Sequence, residues 1–285
     1  MKLGITAQGV TGPLVKVDAA GLQQVRAWGF NCIGTGVMVD EPLPIEEVRR
    51  IRALFDGEGI EIGQAWVPGV FISADDRAVE SLPRMRASLE SLGRLGIRAA
   101  VVGDGSLSQV GGFRPHPRNR DQEAFDLVVS HCKDVIKTAE DSGVYLAVEC
   151  HTVNVLYSPE RMLEFIEAVD SPNIGLNVDI VNWLSFENVY RTAELTDRTF
   201  DLLGERIFTG HIKDAVVEDK LIIHMSETWL GNGIVDSAAY FRRFTQLEPW
   251  KATIIEHIPQ AAIPEARAFC ERLAREHGFT WDGLS

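Results

Sequence analysis

Tyr145-Leu146-Ala147-Val148-Glu149 leads into a helix-patterned segment, 159–169, and then into Ile174-Gly175-Leu176-Asn177-Val178-Asp179. Both short runs are almost wholly apolar until their last residue, which is a carboxylate. A strand with no wet face belongs to a parallel sheet covered by helices, and a helix-length crossover is what a parallel pair requires. Ser158-Pro159-Glu160 opens that crossover with a capping hydroxyl, a proline in the first turn and an acid at the positive end of the helix dipole. The unit reads strand–helix–strand.

Working outward, the same alternation fills the chain. Apolar runs stand at 3–7, 32–37, 60–66, 99–102, 145–149, 174–180, 207–212 and 253–258. Helix-patterned segments lie at 18–29, 45–57, 75–95, 121–142, 159–169, 187–204, 236–247 and 263–277. Met85, Leu89 and Leu92, with Leu95 nearby, mark one face of the third helix. Gly29, Gly59, Gly96 and Gly143 each follow a helix, where a left-handed cap fits. Repeated strand–helix units of this number suit an α/β chain folded as a single (β/α)8 barrel, with a doubly wound open sheet as the alternative. No stretch reads as a linker, so one domain over 1–285 is expected.

Composition bounds what such a barrel does. The 285 residues are 45% hydrophobic and 24% charged, enough for a large core. Lys and Arg number 28 against 41 Asp and Glu, a formal charge of −13, the wrong sign for a partner that is a nucleic acid. Cys32, Cys132, Cys150 and Cys270 stand far apart, with no Cys-x-x-Cys pair, as buried reduced thiols would. The first residues read as a strand rather than a leader, and no window is apolar for the length of a membrane span. A cytoplasmic protein with no membrane partner is expected.

In a (β/α)8 barrel the chemistry sits at the C-terminal ends of the strands. Four consecutive strands end in groups foreign to a packed core: Glu149, Asp179, His211 in Gly210-His211-Ile212-Lys213-Asp214, and Glu256 in Ile254-Ile255-Glu256-His257. One such carboxylate is commonly a strand cap or half of an ion pair. Three converging carboxylates repel one another unless a cation sits among them. Three oxygens and one imidazole suit a divalent metal, Mn²⁺ first, with Co²⁺, Mg²⁺ or Zn²⁺ as alternatives.

With these residues in view, the chain resembles the xylose isomerase-like barrel superfamily of sugar phosphate isomerases and epimerases, which includes ketose 3-epimerases and keto-inositol dehydratases. The quartet Glu149, Asp179, His211 and Glu256 carries the resemblance, with His211-Ile212-Lys213-Asp214 and Gly231-Asn232-Gly233-Ile234-Val235-Asp236, a Gly-x-Gly-x-x-Asp match. The resemblance implies a metal that holds two vicinal oxygens of a sugar or polyol, with Glu149 and Glu256 on either side. A Lewis acid makes the carbon next to a carbonyl acidic; one carboxylate then abstracts the proton and the other returns it, through an enediolate. Both must ligate through one oxygen to keep the other free. Dimers or tetramers are also implied.

Two positions depart from the ketose 3-epimerase pattern: Asn182 stands where a His follows the sixth-strand Asp, and Val217 where an Arg follows the seventh-strand His. His-x-Lys-Asp resembles instead the keto-inositol dehydratase branch, in which proton abstraction is followed by loss of a hydroxyl. Lys213 or His151 would supply the acid. Alternation puts His151 on the side of Glu149 and Cys150 in the helix layer; for His151 the plain alternative is a loop residue bonded to backbone.

Trp66, at the end of the third run, is a candidate wall for a sugar face or an ordinary packing residue, as is Trp183 beside Asn182. The stretch 103–121 reads as a long loop carrying Arg114, His116, Arg118 and Arg120, which would hold an anion, meet a second subunit or stay solvated. The leading reading is therefore a metal-dependent isomerase or epimerase, with a lyase on a keto-sugar or keto-inositol as the alternative. A nuclease on this barrel would want more His ligands and a basic groove, and a non-enzymatic sugar binder would not need two flanking Glu.

Overall fold

The crossover between residues 145 and 179 is present as β5 (Tyr145–Glu149), α5 (Pro159–Val169) and β6 (Ile174–Val178). Ser158 caps α5 by accepting from the Arg161 amide, and Pro159 occupies the first turn. The computed structural model describes residues 1–222 and 224–282. Ahead of the crossover come β1 (Lys2–Ile5), α1 (Ala19–Ala27), β2 (Cys32–Gly36), α2 (Ile45–Glu58), β3 (Glu61–Ser73), α3 (Arg77–Leu95), β4 (Ala99–Ser106) and α4 (Gln122–Ser142). After it come α6 (Thr192–Leu203), β7 (Ile207–Ile212), the pair β8 (Asp214–Glu218) and β9 (His224–Thr228), α7 (Ser237–Phe244), β10 (Ala252–Ile255) and α8 (Ile263–His277).

Among the described residues the parallel strands close in the order β1-β2-β3-β4-β5-β6-β7-β10 and back to β1, so the closed (β/α)8 barrel is observed rather than the open sheet. Helix stripes cover it: Met85, Leu89, Leu92 and Leu95 are all buried. The four cysteines are free and buried, and Cys150 packs against Met162 of α5. No helix of the described residues is long and apolar enough to cross a membrane.

Two sequence expectations change. The third strand does not end at Trp66 but runs on to Ser73, through Pro68 and Gly69. A register shift between Trp66 and Val70 absorbs the proline, and Gly69 takes φ +93° where a Cβ would meet Ser81. Trp66 is therefore a mid-strand residue. The fourth strand reaches Ser106, so the loop expected from 103 begins later. Between β7 and α7, where the sequence reading assigns no element, β8 and β9 form an antiparallel hairpin.

The small lumen is filled near its floor by Cys32, Ala252 and Ile254. At the N-terminal strand ends Tyr145 lies 4.6 Å from the Phe208 ring and 5.2 Å from Trp250, with the Arg98 guanidinium 3.8 Å over Trp250. Gly175 leaves the room that Phe208 takes up.

Candidate metal centre

Each parallel strand delivers its terminal side chain to one end of the barrel, and that brings the quartet together. Glu149 ends β5, Asp179 follows β6, His211 lies in β7 and Glu256 follows β10. All four are buried, and one ligand atom from each lies within 4.8 Å of the others. His211 Nδ1 stands 2.7 Å from Glu149 Oε1 and 3.1 Å from Glu256 Oε2, so the two glutamates flank the imidazole.

Lys213 is drawn into the same cluster. Its Nζ lies 2.5 Å from Glu256 Oε1, 2.8 Å from Asp179 Oδ2 and 3.4 Å from Glu227 Oε2. Burial opposes its charge, but Asp179, Glu256, Glu149 and Glu227 outweigh it and hold the ammonium well above its ordinary pKa. Burial likewise opposes the His211 imidazolium, yet Glu256 and Glu149 raise it to about 9. For Glu256, burial is overcome by His211 and Lys213, and its carboxyl falls to about 2. Asp179 goes the other way: burial lifts it to about 6 despite Lys213.

Whether these residues suit a cation is answered by the donor set. Asp179 Oδ1 accepts from the Val181 amide at 3.0 Å, while its buried Oδ2 faces the Lys213 ammonium at 2.8 Å, a cation already standing among the carboxylates. With three carboxylates and one imidazole converging, the donor set fits a divalent ion.

The remaining expected site residues fall in different places. Asn182 sits in a short turn after β6 and donates from Nδ2 to Glu149 Oε1 at 3.1 Å. The Trp66 ring lies 5.9 Å from that of His211, tilted by 31°. His151 is half-buried against Phe113, at 4.7 Å between rings, and burial lowers its pKa despite Glu149. Arg114 is exposed and donates to the Phe113 carbonyl, away from the quartet. The other arginines of that loop do not converge with it: Arg118 pairs with Asp121 and Glu123, and Arg120 bonds the Thr152 carbonyl over the Tyr157 ring. Trp183 is buried, with its indole N–H on the Leu156 carbonyl, a packing residue.

The two short motifs prove to be one clamp. Asp214 is buried and accepts from the amides of Ala215, Gly231, Gly233 and Val235 at 2.9 to 3.2 Å. A Cβ on Gly233 would lie 2.3 Å from both Asp214 and the Ala215 carbonyl, so the second glycine is a matter of space. Asp236 then caps α7.

Sequence reading missed four polar neighbours. Gln64 and Asn177 meet His211 from the lumen. Glu227 of β9 accepts from His257 Nδ1 at 2.8 Å, and this bond raises the His257 pKa. His257 holds φ +52°, an uncommon backbone for a residue with a side chain. The only available signal was its adjacency to Glu256; Gln64 and Glu227 gave none, because their partners lie far along the chain.

With barrel, quartet and clamp in place, the xylose isomerase-like TIM barrel model matches residues 22–273. The chain belongs to this family. Solved members of similar fold include the 3-keto-D-glucoside 4-epimerase YcjR from E. coli, 16% identical over 95% of this chain and 99% of that one, with a TM-score of 0.71. The mannonate dehydratase from Streptococcus suis is 15% identical over 100% and 98%, TM-score 0.69. A xylose isomerase-like TIM barrel protein from Mycobacterium smegmatis in complex with magnesium is 18% identical over 97% and 96%, TM-score 0.70. At these identities the likeness is one of fold. No curated protein sequence matches the chain.

Proposed function

We propose that this family member is a divalent-metal-dependent isomerase or epimerase of a ketose or related polyol, working by proton abstraction next to a carbonyl through an enediolate. The observation that carries this reading is the pair of buried glutamates on either side of His211, at 2.7 and 3.1 Å from Nδ1. Glu149, Asp179, His211 and Glu256 would hold the metal, with Mn²⁺ the ion best suited to the donor set and Mg²⁺, Co²⁺ or Zn²⁺ as alternatives. When bound, it supplies Lewis acidity toward the substrate oxygens.

The protein's own groups divide the remaining work. Glu256 is ionised, the form a base needs, and His211 and Lys213, which hold its carboxyl at about 2, keep it a weak base until their charges are drawn away. Glu149 stands opposite, oriented by Asn182, to return one on the other face. Lys213 stays an ammonium, which suits it to hold Glu256 and Asp179 and to meet a substrate hydroxyl. His151, neutral by burial, is placed to pass a proton at the mouth. Trp66 offers an aromatic face to the apolar side of a sugar.

One observation favours a second reading. Dehydration needs an acid for the departing hydroxyl, and His257, paired with Glu227 and 3.9 Å from Glu256, is an imidazolium candidate beside the base. The test is incubation of the Mn²⁺-loaded protein with ketoses and keto-sugars in heavy water. One deuteron gained at carbon without loss of mass supports isomerisation or epimerisation; net loss of water supports the lyase. Neither deuterium uptake nor water loss from any of them would sink both.

A further inference from the structure

Gln64 comes from β3, four strands from β7 whichever way the barrel is followed, so its side chain spans the lumen. It is fully buried, as are Thr209 and His211. Its amide nitrogen stands at His211 Nε2 and its amide oxygen 2.5 Å from Thr209 Oγ1, and a half-turn of the amide exchanges the two. Thr209 Oγ1 is also 2.8 Å from the Ala252 carbonyl oxygen.

Proton counting fixes the direction. A hydroxyl carries one proton, and a backbone carbonyl only accepts. Two acceptor oxygens at 2.8 Å with no proton between them would repel, so Thr209 gives its proton to Ala252. Its oxygen is then an acceptor, which favours the amide after that half-turn, with nitrogen toward Thr209 and oxygen toward His211. That oxygen in turn requires a proton on Nε2.

We propose that Gln64 and Thr209 form a one-way relay that holds a proton on His211 Nε2, so that the proton on Nδ1, which faces Glu149 Oε1 at 2.7 Å, is the one a metal would displace. Gln64 and Thr209 are positioning residues, acting through His211 as outer partners of metal-binding histidines do. The inference rests on the quartet being a metal site.

The test is Mn²⁺ binding by titration calorimetry on the full chain stripped with chelator, alongside melting of the metal-free protein. Gln64→Leu removes the acceptor and is expected to weaken Mn²⁺ by roughly 10- to 100-fold. Gln64→Glu keeps an acceptor toward Nε2 and should bind Mn²⁺ at least as tightly as wild type. Thr209→Val should weaken binding less than Gln64→Leu, and Thr209→Ser should restore it. A merely structural role would lower the metal-free melting temperature of Gln64→Leu and leave its Mn²⁺ affinity alone, which would overturn the relay. So would Gln64→Glu binding as poorly as Gln64→Leu. Should Gln64→Leu fail to fold, equal Mn²⁺ affinities in Thr209→Val and Thr209→Ser would overturn it instead. Wild type that binds no Mn²⁺ would remove the metal site itself, an outcome separate from failure of the relay alone.

Discussion

At the N-terminal ends of the strands, Tyr145 lies against Phe208 and Trp250, and Arg98 covers Trp250 at 3.8 Å. At the C-terminal ends, Glu149, Asp179, His211, Lys213 and Glu256 are packed into a space more deeply buried than that stack, where Arg98 is exposed and Tyr145 and Trp250 are half-buried. The first set is complete in itself: rings meet rings, and the cation lies over a π face. The second is not, since three carboxylates converge there and Asn177 Oδ1 is buried with no hydrogen-bond partner among the described residues. One end of the barrel gains stability from its contacts, while the other holds charge at a cost that a ligand would repay.

The largest effect that tests this contrast is removal of the quartet. The double variant Asp179→Asn, His211→Ala should lose Mn²⁺ altogether, an affinity drop beyond the roughly 100-fold upper end for outer-sphere partners. Its metal-free form should melt lower than wild type, because His211→Ala leaves buried Glu149 without its imidazolium partner. Metal analysis and calorimetry on one preparation decide it; undiminished Mn²⁺ binding would mean that the cluster is structural. The opposite end predicts a loss of stability alone. Phe208→Ala should cost about 3–5 kcal/mol of stability and leave the Mn²⁺ affinity of the folded protein unchanged. Denaturant unfolding and titration calorimetry read the two quantities separately.

Acidity divides the ends as well. His211 is raised from 6.5 to about 9, so a metal must displace its proton below that pH. Mn²⁺ affinity should therefore climb about tenfold per pH unit between 6.5 and 9, and more steeply below about 6, where Asp179 also holds a proton. Metal-free stability runs the other way. A folded pKa above the unfolded one contributes fully below pH 6.5 and is lost as the pH rises through 9. Affinity that is flat with pH would mean that no ligand proton is displaced.

How far the sequence reveals these two ends depends on where the partners lie. Glu149, Asp179, His211 and Glu256 were legible because a parallel strand is uniformly apolar until its active end, so a terminal charge stands out. The N-terminal stack was not, since Tyr145, Phe208 and Trp250 look like any aromatic residues until the barrel closes. Gln64 was hidden for the same reason: its partner is on the opposite strand, 147 positions away. Pro68-Gly69 reads as a turn but is a bulge that lets β3 continue, and the hairpin of β8 and β9 is too short and polar to announce itself. His211-Ile212-Lys213-Asp214 and the Gly-x-Gly-x-x-Asp stretch were visible as motifs, yet half of what they do is architectural. Gly233→Ala, which forces a Cβ to 2.3 Å from Asp214, should cost about 1–3 kcal/mol by denaturant unfolding and leave the quartet's Mn²⁺ affinity within about threefold.

The smallest effect belongs to the arginines of the β4–α4 loop, which sequence proximity groups and the fold separates. Arg118 is engaged by Asp121 and Glu123, Arg120 by the Thr152 carbonyl and Tyr157, and Arg114 reaches only the carbonyl of Phe113. An anion site needs donors that converge, and these diverge. Exposed contacts of this kind contribute about 0–1 kcal/mol. Arg114→Ala should shift stability by less than about 0.5 kcal/mol and leave Mn²⁺ affinity as it was. Inorganic phosphate should raise the melting temperature of neither protein. A phosphate-dependent rise in wild type that disappears in Arg114→Ala would place an anion on this loop. It would also extend the working end of the barrel from the quartet to its rim, and point to a phosphorylated substrate rather than a neutral polyol.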